Sequence, residues 1–132
     1  MSDLDAIYGV LSDSHRRYVL YYFLENERAN IDTLALQLAA WKHDKALKSV
    51  LEDEKEAITL ALLHKHLPQL AEHGFVTFDQ RSGDVVVGTN FHVVRPTVEH
   101  AREVEETDSI VGNATESFLY SNPLAESTNN DH

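Results

Sequence analysis

Apolar residues near the N-terminus recur at the spacing of an amphipathic helix. Four of them fall at i, i+3, i+4 and i+7, namely Leu4, Ile7, Tyr8 and Leu11. This stripe predicts a short first helix. The next segment, SHRRYVLYYFLENE, is apolar on almost every side, so we expect a central helix whose tyrosines pack in the core rather than stack on bases. Ser12 or Asp13 is expected to cap it.

The segment NIDTLALQLAAW predicts a third helix. Asp32 stands where an N-cap is expected, because a short polar side chain there can accept a hydrogen bond from the first turn. Leu34, Leu38 and Trp41 share one face and are expected to be buried, with Trp41 as a core residue or an interface anchor. A basic connection, KHDKALKSVL, follows without strong periodicity.

A long fourth helix is predicted over EDEKEAITLALLHKH and the residues after it, up to Gly74. Its favoured apolar face consists of Leu60, Leu63, Leu67 and Leu70. Pro68 interrupts this helix, because proline has no N–H for the carbonyl of His64 and its ring clashes with that turn. We therefore expect the helix to kink at Pro68 or to restart with the proline in its first turn.

Two β-rich runs, FVTFD and DVVVG, are joined by QRSG, which predicts a β-hairpin. The segment FHVVRPTVEHAREVEE then predicts a C-terminal helix that begins near Pro96. Its apolar face is thin and comprises Val98, Ala101, and Val104 or Glu105. A helix with so little apolar surface is expected to pack on a partner rather than to fold alone.

Helices followed by a short hairpin form the order of a winged helix-turn-helix. The predicted fold is mainly α with a small β-hairpin and an extra C-terminal helix. We divide the chain into a winged-helix domain (1–93), a C-terminal helix that can dimerise (94–106) and a polar tail expected to be disordered (107–132).

Charge gives two interpretations of the partner. The chain carries 22 Asp and Glu against 11 Lys and Arg, a net charge of −11. The segment 42–66 is neutral, whereas 94–132 is strongly acidic. Such a surface usually repels nucleic acid. In a high-salt cytosol, however, acidic surfaces maintain solubility, and molar salt screens charges beyond about 3 Å.

Several kinds of chemistry are excluded or not expected. The chain has no cysteine, so it can form no disulfide, thiolate zinc site or cysteine nucleophile. Known catalytic motifs are missing, and the cluster Ser12 to His15 is better explained by helix capping. His64 and His66 lie on opposite sides of a helix and cannot share a metal ion unless the helix breaks at Pro68. We expect no enzyme, cofactor or metal, and a cytoplasmic protein without a signal or membrane-spanning segment.

The run HLPQLAEHGFVTFD resembles the end of the recognition helix and the start of the wing in ArsR-like transcription regulators. LSDSHRRYVLYYFLENE and IDTLALQLAAW resemble the two preceding helices of haloarchaeal ArsR-like winged-helix proteins, which are largely uncharacterised. The resemblance covers roughly residues 8–90. It implies that the DNA-facing positions precede the HL pair and comprise Thr59, Ala61, Leu62, Leu63, His64 and Lys65.

The resulting hypothesis is a homodimeric regulator that binds double-stranded DNA through a recognition helix and a wing. Its candidate DNA-binding residues are Lys55, Thr59, His64, Lys65, Gln69 and Arg81. Lys55 and Lys65 would contact phosphate, and His64 or Gln69 would reach a base. Arg81 at the hairpin tip would lie along the backbone or the minor groove. The predicted dimer interface is 94–106, together with the first helix.

A protein-interaction module with the same fold is the alternative. The segment ITLALL offers few donors to base edges, and the connection before the fourth helix is longer than a simple helix-turn-helix turn. The two hypotheses differ in electrostatics. DNA binding requires Lys55, Lys65 and Arg81 to share one face free of carboxylates.

Overall fold

The computed structural model describes residues 3–108. Its helices are α1 (Asp3–Leu11), α2 (Ser14–Glu25), α3 (Ile31–His43), α4 (Glu52–Ala61), α5 (Leu67–Glu72) and α6 (Phe91–Asp108). A 3₁₀ turn at Leu47–Ser49 lies between α3 and α4, and a π-helical turn at Leu62–His66, called the π turn below, joins α4 to α5. The strands are β1 (Arg28–Asn30), β2 (Val76–Asp79) and β3 (Asp84–Val87).

The three strands form one antiparallel sheet in the order β1-β3-β2. The predicted hairpin is confirmed, with the pair Asp79 and Asp84 next to the turn. β1 was not predicted, because three residues are too short to show an alternating pattern. It pairs with β3, and Arg28 lies opposite Val86. This order of helices and strands is that of a winged helix with an extra C-terminal helix, as expected from the sequence.

α2 lies at the centre of the core, as predicted. Asp13 is its N-cap and accepts a hydrogen bond from the backbone N–H of His15 at 2.7 Å. Tyr18, Tyr21 and Phe23 are buried. These tyrosines are therefore core residues rather than a platform for bases.

The prediction that Asp32 caps α3 was wrong. Asn30 is the N-cap, and its side chain accepts a hydrogen bond from the backbone N–H of Asp32 at 2.9 Å. The chain leaves β1 at Asn30, so the extended residue that a cap requires falls two positions earlier than the sequence indicated. Trp41 is half-buried, with its ring centroid 3.7 Å from that of Tyr18.

The fourth predicted helix restarts at Pro68, as expected, but its buried face differs from the prediction. Pro68 occupies the first turn of α5, after the π turn. Leu67 and Leu70 are buried as predicted, whereas Leu60 is 50% exposed and Leu63 is only half-buried. The residues buried instead are Ile58 and Leu62. The extra residue of the π turn moves the buried row of α4 by one position.

α6 begins at Phe91, five residues before the predicted start, and Pro96 is inside it. Pro96 is exposed, so its ring lies on the solvent side of the helix. Val98 is buried and Ala101 is partly buried against the core, as predicted. This face packs on α2 of the same chain, which corrects the expectation that it needs a partner for packing. Val104 is exposed, and Glu105 takes the inward position.

The predicted tail boundary at 107 falls inside α6, and the rest of the tail lies outside the described residues. Every helix within residues 3–108 is too short or too polar to cross a lipid bilayer.

Candidate functional site

The solvent-facing surface of α4 is acidic. Its exposed positions are Glu52, Asp53, Glu56, Ala57 and Leu60, which are called the acidic face below. At about 100° per residue these positions cover an arc of roughly 140°, on the side opposite buried Ile58. Three carboxylates surround one exposed leucine on this arc, which holds no basic residue.

Lys55 lies outside the acidic face. Its ammonium nitrogen is 3.7 Å from a carboxylate oxygen of Asp32 on α3. Thr59 follows one turn later and donates its hydroxyl to the backbone carbonyl of Lys55 at 2.9 Å. These two predicted contact residues therefore face the α3 side of the helix and are engaged within the protein.

Two exposed basic side chains lie in the π turn, just after α4. His64 and Lys65 are exposed, and Gln69 on α5 is half-buried. Leu62, one of the positions that the family resemblance placed toward DNA, is 0% exposed. That assignment was wrong for Leu62, because the π turn rotates it into the core.

Arg81 is exposed in the turn between β2 and β3, as predicted. Its backbone N–H donates to a carboxylate oxygen of Asp79 at 2.9 Å, and exposed Asp84 closes the other side of the turn. Lys55 is therefore paired with Asp32, and Arg81 stands in a turn flanked by Asp79 and Asp84, so each of these two basic residues has a carboxylate-bearing residue close by.

A buried histidine connects the π turn to the N-terminal helices α1 and α2. His66, the last residue of the π turn, is 3% exposed. Its Nδ1 lies 3.2 Å from Nη1 of Arg16. Arg16 also donates to the carbonyls of Val10, at 2.9 Å, and Gly9, at 3.3 Å, in the last turn of α1. Arg16 thus joins α1, α2 and the π turn.

Burial lowers the pKa of His66 to about 4, because desolvation disfavours the charged ring and the charges of Arg16 and Lys65 oppose it, although Asp13 acts in the other direction. Burial would raise the pKa of Asp13. Hydrogen bonds from His15 and the neighbouring His66 outweigh that effect, so the pKa of Asp13 is lowered. The site therefore holds a neutral imidazole beside an ionised carboxylate near neutral pH.

Asp13, His15 and His66 each offer a ligand atom, and these atoms lie within 4.8 Å of one another. The distances suit a metal ion, but the hydrogen bonding does not. Arg16 can only donate, so Nδ1 of His66 must accept and the proton of the neutral ring lies on Nε2. Nε2 is the atom that faces Asp13, at 3.9 Å. A ligating histidine needs the opposite tautomer, with Nδ1 donating.

Arg17, the neighbour of Arg16, connects α1 and α2 to α6. It donates to the carbonyl of Leu11 at 2.7 Å and to the two carboxylate oxygens of Glu105 at 2.8 and 3.2 Å. Tyr18 and Tyr21 also donate to Glu105. Burial would raise the pKa of Glu105, but the hydrogen bonds from Arg17 and the tyrosines outweigh it and lower the pKa.

Apolar side chains are exposed on α1 and α6. They are Leu4, Tyr8, Val93 and Val104. A cavity of about 240 Å³ lies between these helices and the start of β2 and is lined by Ala6, Ile7, His73, Phe75, Asn90 and Val93. Positions 93 and 104 of α6 are 11 residues apart, about three helical turns, and so share one face.

Sequence reasoning did not identify the partners of Arg16 and Arg17. Arg16 and His66 are 50 residues apart, and Arg17 and Glu105 are 88 apart. One signal was available: two arginines in the first turn of a helix oppose its dipole, which indicates that they have other partners.

The order of the helices, followed by the β2–β3 hairpin, is that of a winged-helix protein. The chain belongs to the family described as Domain of unknown function (DUF7344), whose family model matches residues 8–86. The match runs from α1 into β3 and leaves α6 outside it. Searches of curated proteins and of solved structures each found no match.

Proposed function

We propose that this protein is a winged-helix interaction module that binds a protein partner through the acidic face of α4, without reading DNA sequence. The composition of that face carries the proposal. In a winged-helix DNA reader, the recognition helix enters the major groove between two rows of phosphates. The solvent side of α4 has three carboxylates and no basic residue among them. These charges oppose a position between phosphates and favour a positively charged partner.

The acidic face also specifies the chemistry of the partner. Leu60 is 50% exposed and lies between Glu56 and Asp53 on the arc. It provides an apolar anchor at the centre of a charged surface, an arrangement that resembles a protein interface with a polar rim. The expected partner surface presents Lys or Arg side chains around an apolar pocket that accepts Leu60.

A DNA-binding transcription regulator is the second candidate. It is favoured by exposed His64 and Lys65 beyond the acidic face, by exposed Arg81 in the wing, and by the resemblance to ArsR-like regulators. In this candidate Lys65 contacts phosphate, His64 or Gln69 reaches a base, and Arg81 lies along the backbone. High salt would have to screen the carboxylates for this contact to form.

Both candidates are compatible with a homodimer through α1 and α6. The exposed apolar residues on these helices provide a surface that a two-fold axis can make self-complementary. Sedimentation at fixed KCl is the test. The wild type is expected to be a dimer, and the double variant Tyr8→Glu, Val104→Glu a monomer.

The experiment that separates the two candidates is selection of sheared genomic DNA from the source organism in about molar KCl. The wild type is compared with Lys65→Glu, Arg81→Glu and with Glu56→Lys, Leu60→Glu. An interaction module is expected to enrich no site. Enrichment of a few sites that only the Lys65 and Arg81 variant loses would establish the DNA-binding candidate instead.

Partner binding is tested in parallel by cross-linking in the same salt. A partner of the acidic face is expected to be lost from the Glu56→Lys, Leu60→Glu variant. It should be retained by Glu99→Lys, which reverses an exposed charge on α6 and serves as the matched control. Equal loss from both variants would show only a dependence on net charge and would overturn the assignment of the acidic face.

A further inference from the structure

The π turn leaves the recognition helix with two possible registers. It contains one residue more than an α-helical turn, and the N–H of Leu67 donates to the carbonyl of Leu62 five residues back. Before the turn the buried residues are Ile58 and Leu62, and after it they are Leu67 and Leu70. The buried row of α4 therefore depends on the extra residue.

An uninterrupted α-helix would bury a different row. Suppose that α5 stays in place and that α4, the π turn and α5 form one regular α-helix. Each position along α4 is then occupied by the residue that follows, in the sequence, the one observed there. Leu63 would enter the site of Leu62, and Thr59 would enter that of Ile58. Leu60 would move from an exposed site to the half-buried site that Thr59 now holds.

The sequence supports both arrangements. Exchanging Leu62 for Leu63 conserves volume, and Thr59 has the branched shape of Ile58, although it brings a hydroxyl into the core. Leu60, Leu63 and Leu67 have the spacing of a regular α-helix, although Leu60 is exposed and Leu63 only half-buried in the observed arrangement. One sequence thus encodes two overlapping apolar rows on the same helix.

Two features select the observed register. Pro68 has no N–H to donate to the carbonyl of His64, and in a regular helix its ring would clash with that carbonyl. Arg16 holds the ring of His66, the last residue of the π turn, at 3.2 Å. Arg16 is in turn fixed by the carbonyls of Gly9 and Val10 at the end of α1.

We propose that the recognition helix is a two-register element, and that α1 holds it in the π register through Arg16 and His66. A contact that moves the end of α1 at Gly9 and Val10 releases His66 and permits the α register. The exposed arc of α4 then consists of Asp53, Glu54, Ala57, Ile58 and Ala61. The effect on partner binding rests on the proposed function, whereas the register itself does not.

Because the chain has no cysteine, single thiols can report the register. Ile58→Cys and Leu60→Cys are each placed in the wild type and in Arg16→Ala, and the rate of reaction with a small disulfide reagent is measured. In the wild type the thiol at position 58 is expected to react slowly and that at 60 fast. In Arg16→Ala the first should become roughly tenfold faster and the second slower, as expected when the α register becomes the major state.

Opposite changes at the two positions distinguish a register shift from loosening. Faster reaction at both positions, or no change at either, would overturn the proposal. Arg17→Ala is the control for general loosening, because it removes bonds to the end of α1 and to Glu105 without touching the π turn. Pro68→Ala is the second variant in case Arg16→Ala does not fold, and it should produce the same opposite changes. Loss of partner binding without these changes would contradict the register and leave the proposed function standing.

Discussion

Two adjacent arginines of α2 hold two different elements, and the junctions differ in kind. Arg17 donates to both oxygens of the Glu105 carboxylate, so a positive charge meets a negative one and α6 is held to α2. Arg16 donates to the neutral ring of His66. A bidentate pair in which both groups are charged is stronger than a single hydrogen bond from a charged donor to a neutral ring. Protonation of His66 would also remove the acceptor. The contact that holds α6 therefore does not depend on His66, whereas the contact that holds the π turn depends on the protonation state of His66.

The surroundings of the two junctions reinforce this difference. Tyr18 and Tyr21 supply further donors to Glu105, so its carboxylate is saturated within the core. Around His66, Arg16 and Lys65 disfavour a positive ring, and Asp13 is the carboxylate that opposes them. These contacts hold α6 more firmly than they hold the π turn.

The largest effect is expected for Glu105→Ala. This change leaves Arg17, Tyr18 and Tyr21 without their shared acceptor in a half-buried site, and it should lower the free energy of unfolding by about 3 kcal/mol. The measurement is denaturant unfolding at fixed KCl. Glu105→Gln keeps an acceptor oxygen and should cost less. Equal stability of the wild type and Glu105→Ala would show that this contact does not hold α6.

Acid pH should weaken the other junction. The pKa of His66 is about 4 in the folded state, against about 6.5 when unfolded, so the folded state binds fewer protons between these values. The stabilisation is complete above about pH 6.5 and is lost as the pH falls toward 4. By linkage the loss amounts to about 3 kcal/mol.

His66→Gln provides the comparison for the pH prediction. Glutamine retains an acceptor for Arg16 but does not titrate, so its stability should change less than that of the wild type between pH 6.5 and 4. The difference between the two unfolding curves isolates His66 from the many carboxylates that also titrate. Parallel curves would show that the recognition-helix junction is insensitive to protonation.

The comparison of junctions also explains what the sequence could predict. Apolar spacing located α1, α2 and the hairpin, because these signals are local. The π turn moved the buried row from Leu60 and Leu63 to Ile58 and Leu62, since leucines adjacent in the sequence satisfy either register. The partners of Arg16 and Arg17 come from distant parts of the chain and follow only from the packing of helices. The acidic face could be assigned once the register was known.

A smaller effect is expected for the two tyrosines that donate to Glu105. Tyr18→Phe and Tyr21→Phe should each cost about 1 kcal/mol, because each removes one donor to the carboxylate and leaves ring packing almost unaltered. Unfolding in denaturant at neutral pH measures both. Wild-type stability of both variants would show that Arg17 alone holds the carboxylate of Glu105.

The smallest effect is expected on the outer side of α6. Glu99 lies 3.6 Å from Arg95 in an exposed i, i+4 pair, where solvent screens the charges and both side chains lose freedom. Glu99→Gln should therefore change the free energy of unfolding by less than about 0.5 kcal/mol. The same denaturant measurement tests it beside Glu105→Ala. Because Glu99 and Glu105 belong to one helix and differ in burial, similar losses would mean that any charge change on α6 destabilises it. A large difference would locate the stabilisation in the contact with Arg17.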